Sequence, residues 1–217
     1  MFTGIIEAKG TIKSLQITDN GARLTIDAGT LDMSDVKLGD SIATNGICLT
    51  VVAMAGTNYS VDVSNETLQR TCFGNYQQGQ QVNLEKAMLP TTRFGGHMVS
   101  GHVDAKSKII SIKNNGNSIE FWLELPQAFA QYISEKGSIT IDGISLTVNA
   151  LTAEQFRLTI VPHTLTQTIM SNYQVGTEVN LEVDLIARYL ERLLMKPSAQ
   201  EKSAGVTEEL LRKSGFM

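Results

Sequence analysis

Apolar and polar residues alternate along much of this chain. In Ala22-Arg-Leu-Thr-Ile-Asp27, Leu24 and Ile26 fall on one face and Arg23, Thr25 and Asp27 on the other. Ile119-Glu-Phe-Trp-Leu-Glu-Leu125 alternates in the same phase. A period of two marks a half-buried strand, because successive side chains of extended backbone point to opposite faces. Turn signals interrupt the pattern at short intervals: Asp19-Asn-Gly21, Leu38-Gly-Asp40, Ala55-Gly-Thr57 and Gln78-Gly79, then Asn114-Asn-Gly116, Lys136-Gly137 and Val175-Gly176. About six short strands fit between the signals of each half. One segment departs from this period. Leu185, Ile186, Tyr189, Leu190, Leu193 and Leu194 recur at helical spacing, behind Asp184 as N-cap and before the stop at Lys196-Pro197.

The pattern is written twice, with an offset of about 97 residues. Met1-Phe-Thr-Gly-Ile-Ile-Glu-Ala-Lys9 lies over Met98-Val-Ser-Gly-His-Val-Asp-Ala-Lys106, and Asn45-Gly-Ile-Cys-Leu-Thr-Val51 over Asp142-Gly-Ile-Ser-Leu-Thr-Val148. Val82-Asn-Leu-Glu85 lies over Val179-Asn-Leu-Glu182. A unit of this length is a small domain rather than a solenoid repeat. The expected fold is mostly β: two tandem six-stranded Greek-key β-barrels related by internal duplication, plus a C-terminal α-helix. Closure into barrels removes exposed strand edges. The expected boundaries are 1–89 for the first barrel, 90–97 for a Pro-, Thr- and Gly-rich linker, 98–184 for the second barrel, 185–195 for the helix and 196–217 for a polar tail. Within the tail, Thr207 to Lys213 could form a short helix. The helix 185–195 has no counterpart in the first half; packing on its own barrel and self-association are both open to it.

Composition narrows the class. The formal net charge is −4 and 42% of residues are apolar, ordinary for a globular protein and without the basic block that nucleic acid requires. No apolar run is long enough to cross a membrane. Two cysteines, Cys48 and Cys72, make neither a disulfide framework nor a metal cluster, so a cytoplasmic, reducing setting is expected. Met1 aligns with Met98, which leaves no room for a leader. His97 and His102 fall on opposite faces of extended chain, and no metal is predicted.

Chemistry is sought where the matched halves disagree. Cys48 faces Ser145, Ile5 faces His102, Asn45 faces Asp142 and Glu66 faces His163. These positions could make a shared pocket asymmetric. Thr3-Gly4 and Ser100-Gly101 supply glycine for close approach or merely for a turn. Cys48 is a nucleophile or a small core residue. Ser145 needs a base, and His102 could serve as it. Lys136 could bind an oxygen or simply be solvated. The residues alone lead to a duplicated β-barrel with paired polar pockets.

The opening Met1-Phe-Thr-Gly-Ile, the paired Gly-Ile-x-Leu-Thr-Val motifs and the junction Gly95-Gly-His-Met-Val-Ser-Gly-His-Val103 together resemble the riboflavin synthase family of the alpha-chain type, over residues 1 to about 195. The resemblance implies a dismutation in which two molecules of 6,7-dimethyl-8-ribityllumazine exchange a four-carbon unit. One becomes riboflavin and the other 5-amino-6-ribitylamino-2,4-pyrimidinedione, with no cofactor and no metal. It also implies a homotrimer joined through the C-terminal helix, with each active site between the N-terminal barrel of one subunit and the C-terminal barrel of its neighbour. Association with lumazine synthase is a partner it allows.

Carried over by resemblance, the first barrel's binding residues are Gly4, Ile5 and Ile6, then Cys48, Leu49 and Thr50, then Asp62, Val63, Ser64, Asn65, Glu66 and Thr67. The second barrel's are Gly101, His102 and Val103, Lys136, then Ser145, Leu146 and Thr147, then Thr159, Ile160, Val161, Pro162, His163 and Thr164. Cys48, His102, Ser145, Thr147 and Asp184 are the implied catalytic set, with His102 in proton transfer and Ser145 or Cys48 as nucleophile or water-positioning group. Phe2 to Ile6 are expected to line the first pocket. One departure stands out: Val161-Pro-His-Thr164 carries His163 where some relatives have glutamate, against any mechanism that needs a carboxylate there. The alternative is a lumazine-carrying antenna protein, which holds the ligand without turning it over.

Overall fold

The alternating segments close into two rings of six strands. The computed structural model describes residues 1–195 and 208–215. The first ring comprises β1 (Ala8–Thr18), β2 (Gly21–Asp27), β3 (Ser41–Thr44), β4 (Ile47–Ala55), β5 (Asn58–Ser64) and β6 (Gln81–Lys86), closed in the order β1-β2-β5-β4-β3-β6. Helix α1 (Asn65–Arg70) precedes β6. The second ring comprises β7 (Ala105–Asn114), β8 (Ile119–Glu124), β9 (Ser138–Ile141), β10 (Ile144–Leu151), β11 (Gln155–Ile160) and β12 (Glu178–Val183), with α2 (Pro162–Gln167) before β12. It closes through the same circuit. The jump from β2 to β5 around the β3–β4 hairpin is the Greek key. The expected fold, two duplicated six-stranded barrels, is what forms.

The alternation works as the period requires. Leu24 and Ile26 are buried in the first core and Phe121 and Leu123 in the second, while Arg23 points out. Each fully buried side chain of this size contributes about 1.5–3 kcal/mol. Closing so short a sheet needs extra twist, which bulges supply. They fall at matching places: Ile12/Ser14 and Val51/Ala53 in one barrel, Ile109/Ser111 and Val148/Ala150 in the other.

The barrels meet at two facing hairpin turns. Asn45-Gly46 and Asp142-Gly143 all have positive φ, and a Cβ on Gly46 would lie 2.7 Å from the Gly143 nitrogen. Asn83 Nδ2 donates to the Asp142 carbonyl at 2.9 Å, and Asn180 Nδ2 to the Asn45 carbonyl at 3.0 Å. Cys72 N donates to Asn180 Oδ1 and Ile169 N to Asn83 Oδ1. The Asn45/Asp142 difference therefore lies in this buried seam. It does not make a pocket asymmetric, because both side chains point into the contact between barrels and reach Tyr76 and Tyr173.

Helix α3 (Leu185–Leu194) is capped by Asp184, whose Oδ1 accepts from Ile186 N at 2.9 Å. Its Arg188 lies over the rings of Phe129 and Tyr132, at 5.5 and 5.6 Å, and pairs with Asp104. Glu191 accepts from the Tyr132 hydroxyl. The helix thus docks through its polar face and leaves the apolar stripe in solvent, with Leu193 80% and Leu194 79% exposed. The short helix expected in the tail is α4 (Glu208–Lys213). The stop at Lys196-Pro197 and the rest of the tail, 198–207 and 216–217, lie outside the described residues.

Candidate functional site

A cavity of about 500 Å³ opens in the second barrel, within the size range of small-molecule sites. β10 supplies Ser145, Thr147 and Asn149 from one face, and Ser138 of β9 is registered opposite Thr147. β11 and α2 add Thr159, Ile160, Val161 and Thr164. Asn149 is fixed by accepting from Thr159 N through its Oδ1 at 2.7 Å. Hydroxyls, one amide and apolar side chains line the wall, with no charge among them. Such a wall suits an uncharged ligand with hydrogen-bonding groups.

Ser145 is paired with a histidine. Its Oγ lies 2.7 Å from His97 Nδ1, and His97 Nε2 lies 3.1 Å from Thr140 Oγ1. Burial pushes the imidazole pKa down, and the Asp184 carboxylate opposes that shift. A neutral ring in hydrogen-bond contact with a hydroxyl can take its proton. Gly96 permits the approach: a Cβ there would sit 2.8 Å from Ser145 Cβ and 2.0 Å from the Thr3 carbonyl oxygen.

The remaining wall comes from the far end of the chain. Ile5 lines this second-barrel cavity, Ile6 packs against the second core, and the Gly4 carbonyl accepts from Ser145 N at 2.8 Å. Reciprocally, the Gly101 carbonyl accepts from Cys48 N at 2.9 Å, and Val103 packs against the first core. The two segments cross in an antiparallel bridge between Phe2 and Val99.

The lumazine binding domain family matches the chain twice, over residues 3–87 and 100–184. Riboflavin synthase of Photobacterium phosphoreum is 52% identical over 217 residues, which is 100% of both chains. The chain belongs to the riboflavin synthase family. The riboflavin synthase of Bacillus subtilis (strain 168) is 41% identical over 216 residues, again 100% of both chains. Among solved structures, LumP complexed with riboflavin superposes with a TM-score of 0.79, and LumP complexed with 6,7-dimethyl-8-(1'-D-ribityl) lumazine with 0.76. Both are 22% identical and cover 84% of this chain and 99% of theirs, a likeness of fold.

Against this riboflavin synthase framework two expectations are corrected. Gly4 and Ile6 contact the second barrel and Gly101 and Val103 the first, because the segments cross before entering their own barrels, while Ile5 lines both the second-barrel cavity and, with Thr3, Ser41 and Ile42, a cavity of about 620 Å³ on the first. The histidine at Ser145 is His97, whereas His102 is exposed on the segment joined to Cys48. Thr147, Leu146 and Thr159 to Val161 gather with Ser145 as the resemblance implies, and so does Thr164. His163 is exposed on α2, and Lys136 is exposed at a left-handed turn, φ 66°, outside the cavity lining. Pro162 opens α2. Asp184 caps α3 and acts on His97 only through its charge.

In the first barrel, Thr50 is registered against Ser41, as Thr147 is against Ser138. Asp62 forms two 2.8 Å contacts with Arg23, Ser64 caps α1 by accepting from Thr67 N, and Glu66 pairs with Arg70. Asn65 Nδ2 donates to the Asp19 carbonyl, and Leu49 and Val63 are core residues. Sequence reasoning missed His97, Thr140, Ser138 and Asn149. The alternation of 145, 147 and 149 along one strand was the signal for Asn149. Ser138 could be found from Ser41, which stands at the matching place in the first half.

Proposed function

We propose that this protein converts two molecules of 6,7-dimethyl-8-ribityllumazine into riboflavin and 5-amino-6-ribitylamino-2,4-pyrimidinedione. The carrying observation is that both lumazine-binding domains are present in a chain that aligns end to end with riboflavin synthases. Every atom of the two substrates reappears in the two products, so the exchange balances without an oxidant or reductant. Two tasks fall to the protein. It must stack the rings in opposed orientation, an entropy trap, and it must move protons to and from the acidic 7-methyl group of one ring while a nucleophile adds to the other. The Ser145–His97 contact supports Ser145, or a water that it orients, as the adding group in the second barrel, with His97 receiving the proton. The Gly101 carbonyl that accepts from Cys48 N brings the segment carrying His102 to the first barrel, which supports His102 in proton transfer and Cys48 as nucleophile or water-positioning group there.

The solvent-facing stripe of α3 supports a homotrimer, in which the first barrel of one copy faces the second barrel of its neighbour. No helix among the described residues is long and apolar enough to cross a membrane, and a cytoplasmic setting completes the reading. Association with lumazine synthase rests on the resemblance alone, and co-sedimentation tests it. The decisive experiment mixes the purified protein with 6,7-dimethyl-8-ribityllumazine and follows riboflavin absorbance. Riboflavin should accumulate to one molecule for every two consumed. Ligand retained without riboflavin formation would overturn the enzyme reading in favour of the antenna one.

A further inference from the structure

Two buried carboxylates stand apart from the cavity beside Ser145, although Glu85 also lines the cavity of about 620 Å³ on the first barrel. Glu85 on β6 and Glu182 on β12 are each 4% exposed. Glu85 accepts from Thr3 N at 2.7 Å, Thr3 Oγ1 at 2.8 Å and Gly4 N at 3.0 Å. Glu182 accepts from Ser100 N at 2.7 Å, Ser100 Oγ at 2.7 Å and Gly101 N at 3.1 Å. A carboxylate is the group for this task, since only an acceptor with two oxygens can receive three converging donors.

Each clasp passes on to the other barrel. The hydroxyl bound to the carboxylate also accepts from the residue two places on: Thr3 Oγ1 from Ile5 N at 3.3 Å, Ser100 Oγ from His102 N at 3.2 Å. The clasped glycine then offers its carbonyl across the seam, Gly4 to Ser145 N and Gly101 to Cys48 N. Neither glycine tolerates a side chain. Their φ values are 76° and 82°, and a Cβ would lie 2.6 Å from the Cβ of Ser145 or Cys48. A short rigid path therefore runs from Glu85 to Ile5 and Ser145, and another from Glu182 to His102 and Cys48.

We propose that Glu85 and Glu182 are crossed positioning residues: each is rooted in one barrel and sets the wall and backbone of the pocket in the other. Neither lines the cavity beside Ser145. Ligand affinity in the first barrel depends on a second-barrel glutamate, and the reverse. This rests on reading the Cys48 and Ser145 regions as half-sites, but its test needs no turnover, so the two readings fail separately.

The test is amide hydrogen exchange in the full-length protein carrying Glu182→Gln or Glu85→Gln. The amide replaces one acceptor oxygen by a donor that faces donors, so the clasp opens while its volume is kept. Glu182→Gln should speed exchange of the Cys48 amide about tenfold and leave that of Ser145 within about twofold. Glu85→Gln should do the reverse. A role confined to holding each barrel together would instead loosen the amide of the same barrel, or both alike, and either outcome overturns the proposal. Ser100→Ala and Thr3→Ala are the milder pair, for use where the glutamine variants do not fold. They remove one bond of each clasp and should give the same crossed pattern at about threefold; an uncrossed pattern there overturns it equally.

Discussion

Replacing Asp142 by asparagine should stabilise this protein, and by more at pH 8 than at pH 5. Asp142 is buried in the seam between barrels, where its Oδ2 accepts from the Tyr173 hydroxyl at 2.5 Å and its Oδ1 from Asn180 N at 2.8 Å. Burial raises its pKa from 3.8 to about 7 against the pull of those hydrogen bonds. At about 1.36 kcal/mol per unit, the buried charge costs at most about 4 kcal/mol above pH 7. The sign follows from proton counts. Between pH 4 and pH 7, roughly, the native state holds a proton that the unfolded chain has released, so stability falls as pH rises through that window. The expected gain on substitution differs by roughly 3 kcal/mol between pH 5 and pH 8.

The molecule contains its own control for that substitution. Asn45 occupies the matched place, with Oδ1 accepting from Asn83 N and Nδ2 donating to Tyr76, both at 2.7 Å. An amide at 142 can accept from Asn180 N through its Oδ1 and donate to the Tyr173 hydroxyl oxygen through its Nδ2, the hydroxyl turning from donor to acceptor as Tyr76 is toward Asn45. Urea unfolding at both pH values is the assay, and a midpoint shift larger at pH 8 by about 1 M is expected for a protein of this size. A shift equal at pH 5 and pH 8, or a loss of stability at both, would refute the reasoning, since either would mean that position 142 holds no strained charge.

Other outcomes follow from the site and the helix. His97→Gln should lower the saturated single-turnover rate about 100-fold and change lumazine affinity less than about threefold; a wild-type rate at saturation would leave Ser145 without its base. Leu190→Glu combined with Leu193→Glu should yield smaller species in sedimentation velocity, with unchanged circular dichroism and a steep fall in turnover, because both residues lie on the exposed stripe. An uncleaved N-terminal tag should lower kcat/KM more than a C-terminal one. Phe2 is fully buried and its backbone pairs with Val99, so added chain disturbs the crossing; equal kcat/KM for the two tagged forms would count against this.

Much of the fold was legible because it is local. Alternation of Leu24 and Ile26 with Arg23 and Thr25, glycine at the turns and the repeat of every motif all act over a few residues. The apolar stripe of α3 was equally plain. Its partner was not, because the docking face is built by Arg188 against Asp104, Phe129 and Tyr132, far away in sequence. The site divides in the same way. Ser145, Thr147 and Thr159 were found because strand spacing and family pattern point to them, whereas His97 was seen only as half of an unlikely metal pair.

By itself the sequence determined that there are two alike barrels, that each carries a hydroxyl-rich strand, and that the chain is of the riboflavin synthase type. Only the tertiary structure decided which segment completes which pocket. Gly4 is next to the first barrel in the chain and bonds to Ser145 of the second; Gly101 is next to the second and bonds to Cys48 of the first. The duplicated sequence is equally compatible with both arrangements, because Thr3-Gly4 and Ser100-Gly101 carry the same donors and acceptors. The choice comes from closing the barrels around a shared seam. Once Gly46 meets Gly143 and Phe2 pairs with Val99, each glycine carbonyl points across the seam, toward the free amide of the other barrel.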